Sequence, residues 1–136
     1  MNYAVEISTP MNTLQSAAVK TDLRLTEGFL RGGWIYFPAG PAGLLHCQIY
    51  HESVQIVPAN RGGSLNLADV LAPVDLHLQL KYPPYLVTVL TWNLSTLYDH
   101  VLTVYLNLQE TRGSRGNGDI TAAAARADEL LRELRV

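Results

Sequence analysis

Side chains able to bind a metal or act as a nucleophile are few in this sequence, and their spacing limits what they could do. They are four histidines and one cysteine: His46, His51, His77, His100 and Cys47. A metal centre would have to gather His46, His51 or His77, but no two histidines stand two or four positions apart and no HExxH motif is present. His46 and Cys47 are neighbours in an alternating segment, so they point to opposite faces of one strand. We therefore predict outward-facing histidines, no metal site and no cofactor.

Other routes to catalysis are equally weak. Cys47 lies in an apolar alternation, where a thiol packs as a small hydrophobic side chain rather than acting as a nucleophile. The 12 acidic residues are scattered, so no pair of carboxylates is arranged for general acid–base catalysis. Gly32 and Gly33 lie inside a strand pattern and open no helix, which indicates a bulge or a close approach of two backbones rather than a phosphate loop. The sequence predicts a protein that is not an enzyme.

Aromatic side chains are the remaining candidates for a binding surface. Exposed on a sheet, they could stack on sugars, or they could form contacts between subunits, where Tyr and Trp contribute much of the binding energy. Core packing of the two tryptophans is a further alternative. Subunit contact is the favoured interpretation, and a carbohydrate-binding module is the alternative. The residues predicted for this interface are Trp34, Tyr36, Tyr50, Tyr82, Tyr85 and Tyr105.

These side chains must be positioned by β-strands, because apolar and polar residues alternate with a period of two through most of the chain. The strand-like segments cover residues 3–7, 23–25, 29–37, 45–50, 54–57, 74–80, 85–92 and 102–108. A weaker segment lies near 65–67, and no helical pattern interrupts the strands before residue 118. About eight short strands without a βαβ rhythm predict an all-β, antiparallel two-sheet sandwich of jelly-roll type over residues 1–108.

The C-terminal part of the chain changes character. Residues 109–118 are polar and glycine-rich, so they predict a flexible linker. From Asp119, which can cap a helix, residues 119–136 predict an amphipathic helix. Such a helix is marginal alone in water, so its apolar face is expected to contact the sandwich, a second copy or a different partner. The residues of that face are Ile120, Ala123, Ala127, Leu130, Leu131 and Leu134.

Composition argues against some classes of partner. The chain of 136 residues fits one domain, and its 16% of charged residues is well below the roughly 25% of an average domain. This low charge suits a subunit partly covered by copies of itself, and the net charge of -2 gives no reason to expect a nucleic-acid partner. No apolar run approaches the ~18 residues needed to cross a bilayer, and the first residues lack a signal-peptide pattern. We expect no membrane contact.

Four short motifs resemble those of small uncharacterised β-sandwich proteins from phages and environmental viruses. The motifs are YFPAGPAGLLH (residues 36–46), QIVPAN (55–60), LTWN (90–93) and YDHVLTV (98–104), and the resemblance spans residues 3–108. It implies a jelly-roll-like fold and a structural role in a virion or virus-like particle, as a capsid, decoration or spike subunit. It supplies no catalytic residues.

This resemblance also implies how the protein would be used. The subunit is expected to form homo-oligomers through the faces of its sandwich and to be assembled into virions in the host cytoplasm. The C-terminal helix is then an attachment or bundling element that contacts other virion proteins or further copies.

Overall fold

The computed structural model describes residues 1–110, and this range consists mostly of β-strands. The strands are β1 (Asn2–Thr9), β2 (Val19–Arg24), β3 (Gly28–Phe37), β4 (Leu45–His51), β5 (Val54–Val57), β6 (Val70–Leu80), β7 (Leu86–Asn93) and β8 (His100–Gln109). A single 3-10 turn, Gln15–Ala17, lies between β1 and β2. The predicted helix at 119–136 and residues 111–118 of the predicted linker lie outside the described residues.

The strands form two four-stranded sheets in which all neighbours are antiparallel. The first sheet has the order β1-β8-β3-β6 and the second has the order β2-β7-β4-β5. Successive strands therefore change sheet, except at the β4–β5 hairpin that the short spacing between residues 51 and 54 predicts. For residues 1–110, the prediction of about eight strands in two antiparallel sheets is confirmed.

One hydrophobic core is shared by both sheets. In β8 the buried residues recur at every second position, from Leu102 to Leu108, because successive side chains of a strand point to opposite faces. The same buried cluster contains Phe37 of the first sheet together with Val87 and Val89 of the second. The inner faces of the two sheets therefore pack against each other, and each fully buried Leu or Val contributes about 1.5–3 kcal/mol.

Strand β7 has apolar residues on both faces: the inner face is buried, and the outer face is buried at Trp92 and partly exposed at Leu86 and Leu90. It lies inside the second sheet, between β2 and β4. Val87 and Val89 point into the core, whereas Trp92 points outward and is nevertheless only 4% exposed. The ring of His46 stacks on Trp92, with 5.0 Å between the ring centroids. The strand-like segment predicted at 85–92 corresponds to β7, which begins at Leu86 and ends at Asn93.

Gly32 and Gly33 allow two strands to approach the backbone of β3 closely. The register of β3 shifts between Leu30 and Gly32 against both of its neighbours. The φ angles of the two glycines, 138° and 152°, are rarely adopted by other residues. A Cβ atom at Gly32 would collide with the carbonyl oxygen of Val74, and one at Gly33 with that of Tyr105. The predicted bulge and the predicted close approach are both confirmed.

Some boundaries differ from the sequence prediction. Strand β2 begins at Val19 rather than at residue 23. The sequence prediction missed its first residues because they include Lys and Thr rather than leucines. Strand β8 extends through Gln109, the first residue of the predicted linker, which pairs with Phe29. Leu65 forms an isolated bridge with Cys47, in line with the weak pattern around it. Within residues 1–110, no helix is long and apolar enough to cross a membrane.

Candidate functional site

Four strand connections meet at one end of the sandwich: β1–β2, β3–β4, β5–β6 and β7–β8. In the first sheet, Thr9 at the end of β1 pairs with His100 at the start of β8. In the second sheet, Asn93 at the end of β7 pairs with Leu45 at the start of β4. The side-chain amide of Asn93 donates a hydrogen bond to the carbonyl oxygen of Thr9, so these ends of the two sheets coincide. The other connections, and the end of β8 at Gln109, lie at the opposite end.

Large apolar side chains are exposed where these connections meet. Leu97 is 71% exposed, Tyr98 66% and Leu14 60%. Three further residues, from the same connections, are between 39% and 44% exposed. This set is called the apolar end below, and its members are Met11, Leu14, Leu44, Leu94, Leu97 and Tyr98. Apolar residues gathered on one exposed surface are typical of an interaction site, whereas isolated ones are not.

Charge is sparse in the three connections that carry the apolar end, whereas the fourth connection, β5–β6 (residues 58–69), contains Arg61 and Asp69. The connections β1–β2 (residues 10–18), β3–β4 (38–44) and β7–β8 (94–99) contain no lysine or arginine, and Asp99 is their only acidic residue. Its carboxylate accepts a hydrogen bond of 2.9 Å from the backbone N–H of Met11. The surface therefore offers a partner aliphatic and aromatic groups with little competing charge.

Backbone hydrogen bonds join the three connections to one another. The N–H of Leu94 in β7–β8 donates to the carbonyl oxygen of Leu44 in β3–β4 at 2.9 Å. The N–H of Asn12 in β1–β2 donates to the carbonyl oxygen of Ser95 at 2.8 Å. The exposed side chains are thus carried by one linked surface rather than by three independent loops.

Asn93 holds the β7–β8 connection from beneath. Its fully buried side chain donates to the carbonyl oxygens of Thr9 (3.1 Å) and Tyr98 (3.0 Å) and accepts from the N–H of Ser95 (3.0 Å). The hydroxyl oxygen of Ser95 then accepts from the N–H groups of Leu97 and Tyr98, each at 3.2 Å. Asn suits this position because its amide is both donor and acceptor. Asn93 therefore pins the turn between the last two strands.

A second apolar surface, the aromatic face, lies on the outer side of the first sheet. Trp34 and Tyr105 are cross-strand neighbours in β3 and β8, and their rings stack in parallel with 4.8 Å between centroids. Tyr36, two positions further along β3, is 42% exposed, and its β6 neighbour Leu71 is 53% exposed. Three of the six predicted aromatic residues are therefore brought together here.

A polar cleft lies on the outer side of the second sheet. Tyr50 stands between a cleft of about 650 Å³, which Gln55 and Arg61 also line, and a smaller one of about 300 Å³, which Lys20 and Glu52 also line. These two adjoining cavities are called the Tyr50 cleft below. They combine an aromatic ring with side chains of both charges.

Two glutamines fix the walls of the Tyr50 cleft. The nearly inaccessible side chain of Gln48 donates to the carbonyl oxygen of Gly63 at 2.7 Å and accepts from the hydroxyl of Tyr50 at 3.2 Å. The amide of Gln55 donates to the carbonyl oxygens of Pro58 (2.7 Å) and Gly63 (3.0 Å). The ring of Tyr50 and the β5–β6 loop are therefore held in place before any ligand binds.

The remaining predicted aromatic residues do not join these surfaces. Tyr82 is 73% exposed in the β6–β7 connection, at the end opposite the apolar end. Tyr85 packs against the hydrophobic core, and its carbonyl oxygen accepts a hydrogen bond from the N–H of Leu25. The six predicted helix-face residues, at positions 120–134, lie outside the described residues.

His46 and Cys47, two of the candidate reactive side chains, are held by contacts within the fold. Nδ1 of His46 lies 2.7 Å from the hydroxyl oxygen of Ser64, and partial burial lowers the pKa of this histidine. Cys47 is fully buried, and burial raises the pKa of its thiol to about 12. Its predicted core position is confirmed. Among residues 1–110, no group of three or more His, Cys, Asp and Glu side chains could hold a metal ion.

Sequence reasoning missed the apolar end. Its residues lie in the stretches between the alternating segments. The alternation pattern identifies these stretches only as breaks between strands. A signal was present, because turns usually contain Gly, Pro, Asn, Asp and Ser, whereas the β7–β8 connection contains Leu94, Leu97 and Tyr98. Large apolar residues in a turn have no core position to fill by alternation, so they point to contact with something else.

Comparisons with known proteins identify no relative. No protein-family model matches the chain, and neither the curated proteins nor the solved structures contain a match. The function is therefore inferred from the chemistry of the apolar end, the aromatic face and the Tyr50 cleft.

Proposed function

We propose that this protein is a non-enzymatic structural subunit that assembles with copies of itself, as a capsid, decoration or spike component of a virion or virus-like particle. The apolar end is the observation that carries the self-assembly. The viral role is supported by the motif resemblance over residues 3–108 and by the strand order. The strand orders β1-β8-β3-β6 and β2-β7-β4-β5 support a jelly roll, a fold found in capsid subunits as well as in lectins and cupins.

The energetics of the apolar end favour association. Fully burying a side chain such as Leu97 is worth about 1.5–3 kcal/mol relative to leaving it in water. The hydrogen bonds of Asn93 and Ser95 already order the connection that carries Leu97 and Tyr98, so a partner would not have to fix this loop on binding. A preorganised apolar surface therefore loses less of its burial energy to loop ordering when a copy covers it.

The contacts of Cys47 and His46 support a role other than catalysis. The Cys47 thiol is protonated and enclosed in the core. His46 is engaged by the hydroxyl of Ser64 and by the ring of Trp92. These contacts explain both residues as parts of the fold.

The mass of the native protein tests self-assembly. Light scattering at micromolar concentration should give a multimer for the unaltered chain and a smaller species for Leu97→Glu, which places a charge in the apolar end. Val54→Glu is the matched control, because Val54 is similarly exposed, at 61%, but lies next to the β4–β5 turn at the opposite end. An unaltered chain that remains monomeric would overturn the proposal, and equal effects of both variants would remove the apolar end from it.

The Tyr50 cleft favours a second function, carbohydrate binding. Its volume of about 650 Å³ lies in the range of small-ligand sites, roughly 300–1,000 Å³. The fixed ring of Tyr50 offers an apolar surface to the C–H groups of a sugar, and Arg61 and Lys20 offer donors to its hydroxyl or carboxylate groups.

A glycan array distinguishes this second function from the first. Binding by the unaltered protein that is lost in Tyr50→Ala and kept in Tyr82→Ala would support it, since Tyr82 is exposed but remote from the cleft. An array without binding, or equal losses in the two variants, would reject it.

A further inference from the structure

We propose that the apolar end of one copy binds the C-terminal segment, residues 119–136, of the next copy, so that subunits join head to tail. The inference rests on the proposed self-assembly and names the partner of the apolar end. It assigns a distinct role to each end of the sandwich. The apolar end binds the segment of a neighbouring copy, and the copy's own segment follows from the opposite end.

Strand β8 runs from the apolar end of the sandwich to the opposite end. Its first residue, His100, lies at the apolar end, where it pairs with Thr9. Its last residue, Gln109, pairs with Phe29, directly after the β2–β3 connection at the opposite end. The nine steps of β8 between these residues span about 30 Å at ~3.3 Å per residue. The described part of the chain therefore ends at the end of the sandwich remote from the apolar end, called the exit end below.

The length of the predicted linker disfavours a return to the same copy. Ile120, the first residue of the predicted apolar stripe, is eleven steps beyond Gln109. A flexible glycine-rich chain of that length has an r.m.s. span of about 18 Å. Placing Ile120 at the apolar end of its own sandwich, about 30 Å away, would stretch the linker well beyond that r.m.s. span, to about 75–85% of its limit of roughly 36–40 Å. The apolar end of a copy stacked against the exit end lies within reach without that extension.

The chemistry of the two surfaces matches. The predicted stripe of the segment is aliphatic, with Ile120, Leu130 and Leu134 along it. The apolar end presents Leu and Met side chains in connections whose only charged residue, Asp99, already accepts a hydrogen bond. The segment is marginal as an isolated helix, so covering its stripe would stabilise it as well.

The symmetry of such a contact differs from that of a simple dimer. Two apolar ends in contact would form an isologous pair and stop at two copies. A segment bound to the opposite end of a neighbour is a heterologous contact, which continues until a ring closes or a filament forms. The two arrangements are therefore separable by the behaviour of single-surface variants.

Complementation between two full-length variants tests the inference. Leu97→Glu impairs the apolar end and keeps the segment, whereas Leu130→Glu impairs the segment and keeps the apolar end. Each variant alone should be monomeric in light scattering, and their equimolar mixture should double in mass to a 1:1 heterodimer that grows no further. Tryptophan fluorescence should confirm that both variants are folded.

Every other result overturns the inference in an identifiable way. A Leu130→Glu protein that still dimerises alone would show contact between two apolar ends. A Leu97→Glu protein that still assembles alone would show bundling of segments, and monomeric variants that fail to combine would show that the segment binds elsewhere. These three results leave self-assembly of the unaltered chain intact, whereas a monomeric unaltered chain would reject both proposals.

Discussion

Replacement of Asn93 by alanine is expected to loosen the β7–β8 connection and with it the apolar end. The buried amide makes three hydrogen bonds, to the carbonyl oxygens of Thr9 (3.1 Å) and Tyr98 (3.0 Å) and from the N–H of Ser95 (3.0 Å). Alanine removes all three and leaves three backbone groups without this partner. At a net value of about 1 kcal/mol each, the free energy of unfolding should fall by about 3 kcal/mol. That is a large part of the free energy of unfolding of a typical domain, which is roughly 5–15 kcal/mol.

Thermal unfolding followed by circular dichroism measures this loss. For a domain of this size, 3 kcal/mol corresponds to a decrease in Tm of about 10–13 °C. The matched control is Asn66→Ala, because Asn66 is an exposed amide of the β5–β6 loop with one hydrogen bond, 3.2 Å long, to the carbonyl oxygen of Gly43. Its loss should stay below about 1 kcal/mol. If Asn93→Ala were no less stable than Asn66→Ala, the argument that this amide clamps the connection would be refuted.

Three further predictions concern the core and its coverings. Gly32→Ala should lower the free energy of unfolding by about 3 kcal/mol and Gly62→Ala by about 1 kcal/mol in chemical denaturation. Both glycines have positive φ, but of the two only a Cβ at Gly32 would meet a carbonyl oxygen. Equal losses would contradict the close approach of the strands. The Cys47 thiol, with its pKa raised to about 12, should react with thiol reagents near pH 8 only after unfolding, and rapid labelling of the native protein would contradict its burial. Burial lowers the pKa of His46, so the unfolded chain binds a proton more readily than the native protein, and stability should fall as the pH drops below about 6.5. His46→Phe should reduce this loss in denaturation measured between about pH 7 and pH 5, and an unchanged loss would argue against it.

The local architecture could be predicted from the sequence because its causes are local. A strand covered on one face must alternate, so the period of two in β6 and β8 identifies them without any knowledge of their neighbours. The adjacent glycines Gly32 and Gly33 indicated a close backbone approach for the same reason, since the missing Cβ atoms are visible in the sequence itself. The core position of Cys47 also follows from its place in an apolar alternation.

The location of the candidate site could not be predicted in this way. The apolar end exists because the β1–β2, β3–β4 and β7–β8 connections meet, and their meeting depends on which strands pair. Trp34 and Tyr105 stack only because β3 lies beside β8, although 71 positions (105 − 34) separate them in the chain.

The sequence by itself determined where most of the strands lie and which side of most strands faces the core. The tertiary structure alone decided the partners of each strand, such as β1 with β8 across nearly the whole described chain. Alternation is a property of each strand separately, whereas strand order reflects the arrangement that buries all of the apolar faces together. Residues in the connections have no part in that alternation, so Leu14, Leu44 and Leu97 acquire a common surface only when the two sheets close on one core.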